Sequence, residues 1–376
     1  MKKNYDTIVI GGGIIGMSIA RELARRGQSV AIFDKGALGQ EASKAAAGVL
    51  MPMMHENEPL ANAFFSLCVD SLRRYKKFVE DIEEENDTKI FFGTQGVLYL
   101  AFDKNGLESL KKLQKDIPLD SKWRTHDELL KTEPELSSSV EAGVCVGQYR
   151  HVHNQDLVAL LAMDLQMQGT AVEIHEFSHA RKVEYTSAGV SVSTDDGTFA
   201  AENVVLAAGS WSSQIEGISH LLPPIKPMRG QILKALAPAR TFLRHPIYWD
   251  RFYIVPRGRE IIIGSTMEDA GFEKRVTISA SADLLRKAAY VVPALGNCGI
   301  MDSWAGLRPM APDGFPVIGK IAEHVIAATG HFRDGILLAP STAAFVTELI
   351  CEGKTNSLIK PFGIERFVKQ TAKKVK

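Results

Sequence analysis

The alternation of apolar and polar positions opens with a compact unit. Residues 7–10 (Thr-Ile-Val-Ile) form a continuous, β-branched run ended by glycines, the pattern of a strand buried on both faces. After Gly11-Gly12-Gly13-Ile14-Ile15-Gly16, the residues Ile15, Ile19 and Leu23 recur at helical spacing, opposite Arg21, Glu22, Arg25 and Arg26. Gly27 closes that helix, and residues 29–34 make a second apolar strand. Strand, glycine turn, helix and strand form a βαβ unit and predict a parallel pair. Phe64, Cys68, Leu72, Tyr75, Val79 and Ile82 then mark one buried helical face over residues 61–85. The charge run from Glu83 to Asp87 reads as the solvated end of that helix.

Near residue 90 the pattern changes. Residues 90–92 and 97–102 are apolar and flank Gly93-Thr94-Gln95-Gly96, which predicts a β-hairpin. Parallel α/β patterning returns after His153. Asn154 is expected to cap a helix through Gln168, and residues 171–175 a further parallel strand. A short hairpin turning at Asp195-Asp196-Gly197 and a buried strand over 203–209 follow. Beyond Pro223, Pro224 and Pro227, residues 248–256 and 260–265 predict a hairpin around Arg257-Gly258-Arg259. Helices are expected over 279–291 and 336–352, with a strand at 325–330 before the second. The expected fold is therefore two interleaved domains. One is α/β, from residues 1–89, 151–222 and 306–376. The other is mainly antiparallel, from 90–150 and 223–305.

Composition narrows the partners. Lys plus Arg and Asp plus Glu both number 44, so no global field favours nucleic acid or an anionic membrane. At 45% apolar residues the chain can bury a sizeable core. The four cysteines (Cys68, Cys145, Cys298, Cys351) form no C-x-x-C pair, which points away from a disulfide framework and from zinc. No apolar run reaches the roughly 18 to 20 residues that span a bilayer, and the N-terminal pattern is not that of a signal peptide. The expectation is a soluble, cytoplasmic protein with a solvated tail at residues 369–376.

The glycines carry chemistry. Gly11-x-Gly13-x-x-Gly16 lies between a strand and a helix, and acidic Asp34 closes the second strand about 20 residues on. Gly11 permits the tight turn, Gly13 lets the backbone approach a pyrophosphate, and Gly16 lets helix pack on strand. The helix N-terminus offers free N–H groups and a positive dipole to the anion. Asp34 suits the ribose hydroxyls and would repel a 2′-phosphate. The site is completed by the C-terminal part of the chain, and so FAD fits better than NAD.

Further motifs extend the pattern: Ser43-Lys44-Ala45-Ala46-Ala47-Gly48, Ala207-Ala208-Gly209-Ser210-Trp211, residues 253–257 (Tyr-Ile-Val-Pro-Arg), residues 304–309 (Trp-Ala-Gly-Leu-Arg-Pro) and residues 330–340 from Gly330-His331-Phe332-Arg333-Asp334-Gly335-Ile336 onward. With these, nearly the whole chain resembles the D-amino acid oxidase superfamily of flavoenzymes, and within it the glycine oxidase branch of thiazole (thiamine) biosynthesis. The resemblance implies a Rossmann-like FAD-binding domain and an interleaved antiparallel substrate domain. It places non-covalent FAD on Gly11, Gly13, Ile14, Ile15, Gly16, Asp34, Ser43, Lys44, Ala46, Ala47, Gly48, Ala180, Ala208, Gly209, Trp211, Gly306, Arg308, Gly330, His331, Arg333, Gly335 and Ile336. The small residues from Ala45 to Gly48 would leave room for a flat ring. Ala180 would lie near the adenine.

For the substrate, the resemblance makes Arg308 the grip on a carboxylate, since a planar guanidinium binds it bidentately. An arginine is otherwise usually a surface ion-pair partner, but Trp304, Leu307 and Pro309 give this one an apolar setting. Tyr253 would donate its hydroxyl to the same carboxylate, or else serve as a core aromatic. Arg333 would close the site through its backbone carbonyl or its side chain. Met267 and Tyr248 would line the pocket, with Val49 and Met51 at its entrance. Arg251 stands where the family can carry His; it would either admit a second anion or point outward. The expected chemistry is hydride transfer from the substrate Cα to flavin N5, imine hydrolysis to the 2-oxo acid and ammonia, and reoxidation by O2 to hydrogen peroxide. It needs orientation rather than a side-chain acid or base. His151 and His153 read as a structural pair, not a metal site. Two other readings stay open: a dehydrogenase of the same fold that feeds a quinone, and a flavin-binding interaction protein without turnover. The family further suggests a homotetramer.

Overall fold

A computed structural model describes residues 4–53, 59–238 and 242–367. Its first sheet has eight strands. The parallel centre consists of β9 (Val172–His175), β2 (Val30–Phe33), β1 (Asn4–Ile10), β12 (Gly197–Leu206) and β19 (Val325–Thr329). Ile10 lies beside both Phe33 and Leu206, so these strands end together. Antiparallel β10 (Ala180–Thr186) and β11 (Gly189–Thr194) extend the sheet from the first half of β12, and β18 (Val317–Ala322) pairs with β19.

Three helices bury one face of this sheet: α1 (Ile14–Arg25), α3 (Ala61–Asn86) and α8 (Gly335–Glu352), with α6 (Asn154–Met167) beside them. The apolar stripe read from Phe64 to Ile82 is the buried face of α3. Helix α8 has 18 residues and a mean hydropathy of 1.3, and 61% of it is buried, so it is a core helix here. It is more apolar along its length than the sequence reading allowed.

The second sheet has the order β17-β13-β16-β15-β14-β5-β7-β6. Its strands are β5 (Val97–Ala101), β6 (Ser121–Thr125), β7 (Ala142–Val146), β13 (Lys226–Leu236), β14 (Ile247–Trp249), β15 (Phe252–Arg257), β16 (Glu260–Gly264) and β17 (Gly299–Met310). All pairs are antiparallel except β5 with β14. Helices α4 (Lys104–Asp116), α5 (His126–Thr132) and α7 (Ile278–Val291) pack on it. A three-stranded sheet of β3 (Val49–Leu50), β8 (Arg150–Val152) and β4 (Phe92–Gly93) lies apart from both.

Four expectations change. β4 and β5 are not a hairpin: β4 pairs with β8, and β5 with β7 and β14. The stretch 248–256 is broken by a turn at Asp250-Arg251, so β14 and β15 are themselves a hairpin. The division after residue 305 falls inside β17, which stays paired with β13 through Met310. His153, not Asn154, caps α6, its Nδ1 accepting from the Asp156 N–H at 3.2 Å. The Lys-rich segment 369–376 lies outside the described residues.

Candidate functional site

An elongated cleft runs from the carboxyl ends of the parallel strands to the face of the antiparallel sheet. This is where open α/β sheets bind ligands, because loops there are free of the sheet's hydrogen bonding. One end is the glycine turn. Gly11 has φ 108°, and a Cβ on it would sit 2.4 Å from the Ala207 carbonyl oxygen. A Cβ on Gly16 would lie 1.9 Å from the Gly11 oxygen, which ties α1 to β1. Gly13 is the N-cap of α1 and supplies no side chain of its own to that N-terminus. Asp34 accepts from the Gly12 N–H at 2.7 Å and from the Gly36 N–H at 2.8 Å. Burial raises its pKa while those two donors oppose the shift.

One wall is the small-residue segment after the one-turn helix α2 (Ala42–Ala45). Its carbonyls are held from behind. The Asn154 amide donates to Ser43 O at 2.7 Å and to Lys44 O at 3.2 Å. Trp304 Nε1 donates to Ala45 O at 3.1 Å. Arg257 Nη2 donates to Ala47 O and to Asn154 Oδ1, each at 2.5 Å. Arg257 is buried, its Nε and Nη1 have no protein partner, and burial lowers its pKa to about 10. Ser43 Oγ accepts from Ile14 N–H at 2.9 Å, joining this wall to the start of α1.

At the far end lies Arg308. Its Nη1 donates to Thr266 O at 3.0 Å and its Nη2 to Ser265 Oγ at 2.7 Å. The guanidinium lies over Gly230, where a Cβ would come within 2.2 Å of Nη2. Burial lowers the Arg308 pKa, and Tyr253 is close enough to oppose that. The Tyr253 ring covers Gly264, whose Cβ would meet it at 2.8 Å. Val49, Met51, Tyr248, Arg251, Met267 and Arg333 line the same end, Arg251 as a solvent-exposed residue at its mouth. Tyr248 and Tyr253 are register partners across β14 and β15.

Most residues singled out from the sequence line this one cleft: Ile14, Ile15, Ala46, Ala47, Gly48, Ala180, Ala208, Gly209, Trp211, Gly306, His331, Gly335 and Ile336 among them. Three do not. Lys44 turns out to Gln40 Oε1 at 2.7 Å, Gly16 acts by packing, and Gly330 forms a turn with φ 72°. His331 is buried against Thr342 Oγ1 at 3.1 Å, and burial lowers its pKa to about 3. His151 and His153 have separate partners, Pro256 O for His151 and the α6 cap for His153. Among the described residues no cluster of metal ligands occurs.

The sequence reading missed four contributors. Gly230 and Gly264 each make room, the first for the Arg308 guanidinium and the second for the Tyr253 ring. Arg257 and Lys35 were the others. Lys35 Nζ lies 3.3 Å above the Trp211 ring in the dinucleotide half of the cleft. A charged residue on an otherwise apolar strand was the available signal for Arg257.

Asp334 also lines the cleft, just before α8, where burial pushes its carboxyl up to about 6 and Arg333 opposes the shift. A raised carboxyl pKa favours folding fully below the unfolded value, and that contribution is lost as pH rises through about 6. Asp334→Asn is therefore expected to stabilise the protein at pH 8 by up to ~3 kcal/mol and hardly at pH 4. Urea denaturation at the two pH values checks this.

These features fit a flavin dinucleotide: glycines where side chains would block a pyrophosphate, a helix N-terminus that faces the cleft, an acid beside it and a flat wall of small residues. The comparisons agree. Residues 6–349 match the family described as FAD dependent oxidoreductase. The chain is 34% identical to a glycine oxidase of Bacillus licheniformis, covering 93% of this chain and 94% of that one. It is 33% identical to a bifunctional ThiO/ThiG protein of Synechocystis, over 99% of this chain and 55% of that longer one. The crystal structure of glycine oxidase from Geobacillus kaustophilus superposes with a TM-score of 0.89 at 31% identity, covering 96% and 98% of the two chains. Glycine turn, small-residue wall and family match lead to one conclusion: the chain belongs to the FAD dependent oxidoreductases and is an FAD-dependent amino acid oxidase of the D-amino acid oxidase type.

Proposed function

We propose that the protein oxidises glycine and other small amines such as sarcosine and D-alanine, with O2 as the final acceptor, to the 2-oxo acid, ammonia and hydrogen peroxide, in the service of thiazole synthesis. The supporting observation is Arg308, a half-buried guanidinium braced by Thr266 O and Ser265 Oγ inside the cleft that the small-residue wall bounds. Bound FAD supplies the two-electron acceptor.

The protein's own contribution is orientation. Arg308 binds the substrate carboxylate, and the Tyr253 hydroxyl adds a second donor to it. With the carboxylate fixed, the Cα is held toward the flat ring that the wall would carry, which raises the local concentration of the reacting pair without a side-chain acid or base. Val49 and Met51 give the chamber an apolar entrance that limits water. The carbonyls of Ser43, Lys44, Ala45 and Ala47 are engaged from behind, so the wall keeps its shape. Among the described residues no cysteine lines the cleft, in keeping with non-covalent FAD. Ile300 and Met301, exposed on the free edge of β17, support assembly into the homotetramer that the family resemblance suggests. The cytoplasm is the expected compartment.

Peroxide release by the yellow protein during aerobic turnover of glycine, sarcosine and D-alanine is the expected result. Silence with O2 but turnover with an artificial acceptor would reverse the assignment in favour of a dehydrogenase.

A further inference from the structure

The substrate end of the cleft holds more positive charge than a simple amino acid can neutralise. Arg308, Arg333 and Arg251 all line it. Among the described residues, none of the three meets a carboxylate within ion-pair distance. Arg308 is braced by Thr266 O and Ser265 Oγ, and Arg333 lies 5.1 Å from the ring of its neighbour Phe332. The lining acids Asp34 and Glu41 belong to the opposite, dinucleotide end. Among the described residues Asp334 is the one lining acid close to the arginines, and its burial favours the neutral form; Asp250, beside Arg251 in the turn, does not line the cleft. A glycine carboxylate answers one of the three cations, and Asp334 at most one more.

Arg251 is placed over the cleft by its backbone. Asp250 and Arg251 form the two-residue turn between β14 and β15, with φ of 45° and 62°. Such a turn favours glycine at its second position. An arginine stands there instead; it is solvent-exposed and also lines the mouth of the cleft. Tyr248, two residues before the turn, lines the cleft with Arg333 and Arg251 and lies within electrostatic reach of both; Tyr253 and Asp250 are the other groups acting there.

We propose that this site prefers amines carrying a second carboxylate, with Arg308 holding the carboxylate next to the reacting carbon and the Arg251–Arg333 pair beside Tyr248 holding the other. The proposal rests on the amine-oxidase reading above and names the substrate class for it.

Carboxylate and carboxamide isosteres isolate charge from size. In the enantiomer that the enzyme turns over as alanine, aspartate against asparagine and glutamate against glutamine are compared by kcat/KM. At least one acid is expected to exceed its amide by tenfold or more, and Arg251→Met to collapse that ratio to below about threefold. Amides equal to or better than both acids, or an unchanged ratio in Arg251→Met, would overturn the proposal. A binding arm separates it from the turnover reading. Perturbation of the flavin absorbance should show succinate binding at least tenfold more tightly than butyrate, and Arg251→Met should remove the difference. If no amine, glycine included, is oxidised, the functional reading fails and this binding ratio alone decides the anion site.

Discussion

Arg308→Ala is expected to lower kcat/KM for glycine by about 30- to 1000-fold, or ~2 to 4 kcal/mol of transition-state stabilisation. The loss has two sources. The substrate carboxylate loses a charge-assisted, bidentate partner in a site where little water replaces it. Thr266 O and Ser265 Oγ, which now hold the guanidinium, also lose their donor. Arg308→Lys should recover only part of the activity, because an ammonium keeps the charge but not the planar fork. Steady-state kinetics on both variants, with the flavin absorbance confirming that cofactor is retained, provides the check. An unchanged kcat/KM in Arg308→Ala would remove this residue from the site.

The second large effect falls on the cofactor. Gly11→Val is expected to yield protein purified without flavin. Any Cβ at Gly11 would lie 2.4 Å from Ala207 O and 2.6 Å from Ala207 C, both backbone atoms that cannot step aside. The φ of 108° adds strain that a β-branched residue tolerates least. The turn must then move, and with it the start of α1 that faces the pyrophosphate. Gly27→Val is the matched control. Its φ is also positive, at 81°, but a Cβ there meets nothing within 4 Å. It should cost about 1 to 2 kcal/mol of stability and keep its flavin. The ratio of flavin to protein absorbance in the two purified variants tests this, and a flavin-loaded Gly11→Val would show that the turn does not hold the cofactor.

The two variants also show where the sequence is legible. Gly11, Gly13, Gly16 and Asp34 could be read directly, because a tight turn, a helix start and a strand end are decided within about 25 residues of chain. Arg257 and Gly230 could not. Arg257 matters because its Nη2 reaches Ala47 O and Asn154 Oδ1, 210 and 103 residues away in the sequence. Gly230 matters because β13 pairs with β17 in the register that sets Met228 opposite Arg308 and Gly230 opposite Gly306. The cross-strand diagonal lays the guanidinium on the glycine, and no local pattern encodes that register. The same cause explains the misread hairpin at 90–102, whose two halves are equally apolar but belong to different sheets.

Taken by itself, the amino-acid sequence determined the βαβ unit, its dinucleotide turn, the alternation of parallel and antiparallel segments and the set of motifs from which the site is built. These depend on backbone sterics and on the periodicity of apolar residues, which act over short stretches of chain. The tertiary structure alone decided which motif residues meet. It turned Lys44 outward while its neighbours line the cleft, brought Arg251 to the mouth of that cleft on a two-residue turn, and gathered three arginines at one end of the cleft in a chain whose net charge is zero. Charge is summed over the chain but acts over ångströms. Its local concentration therefore depends on long-range strand pairing rather than on composition.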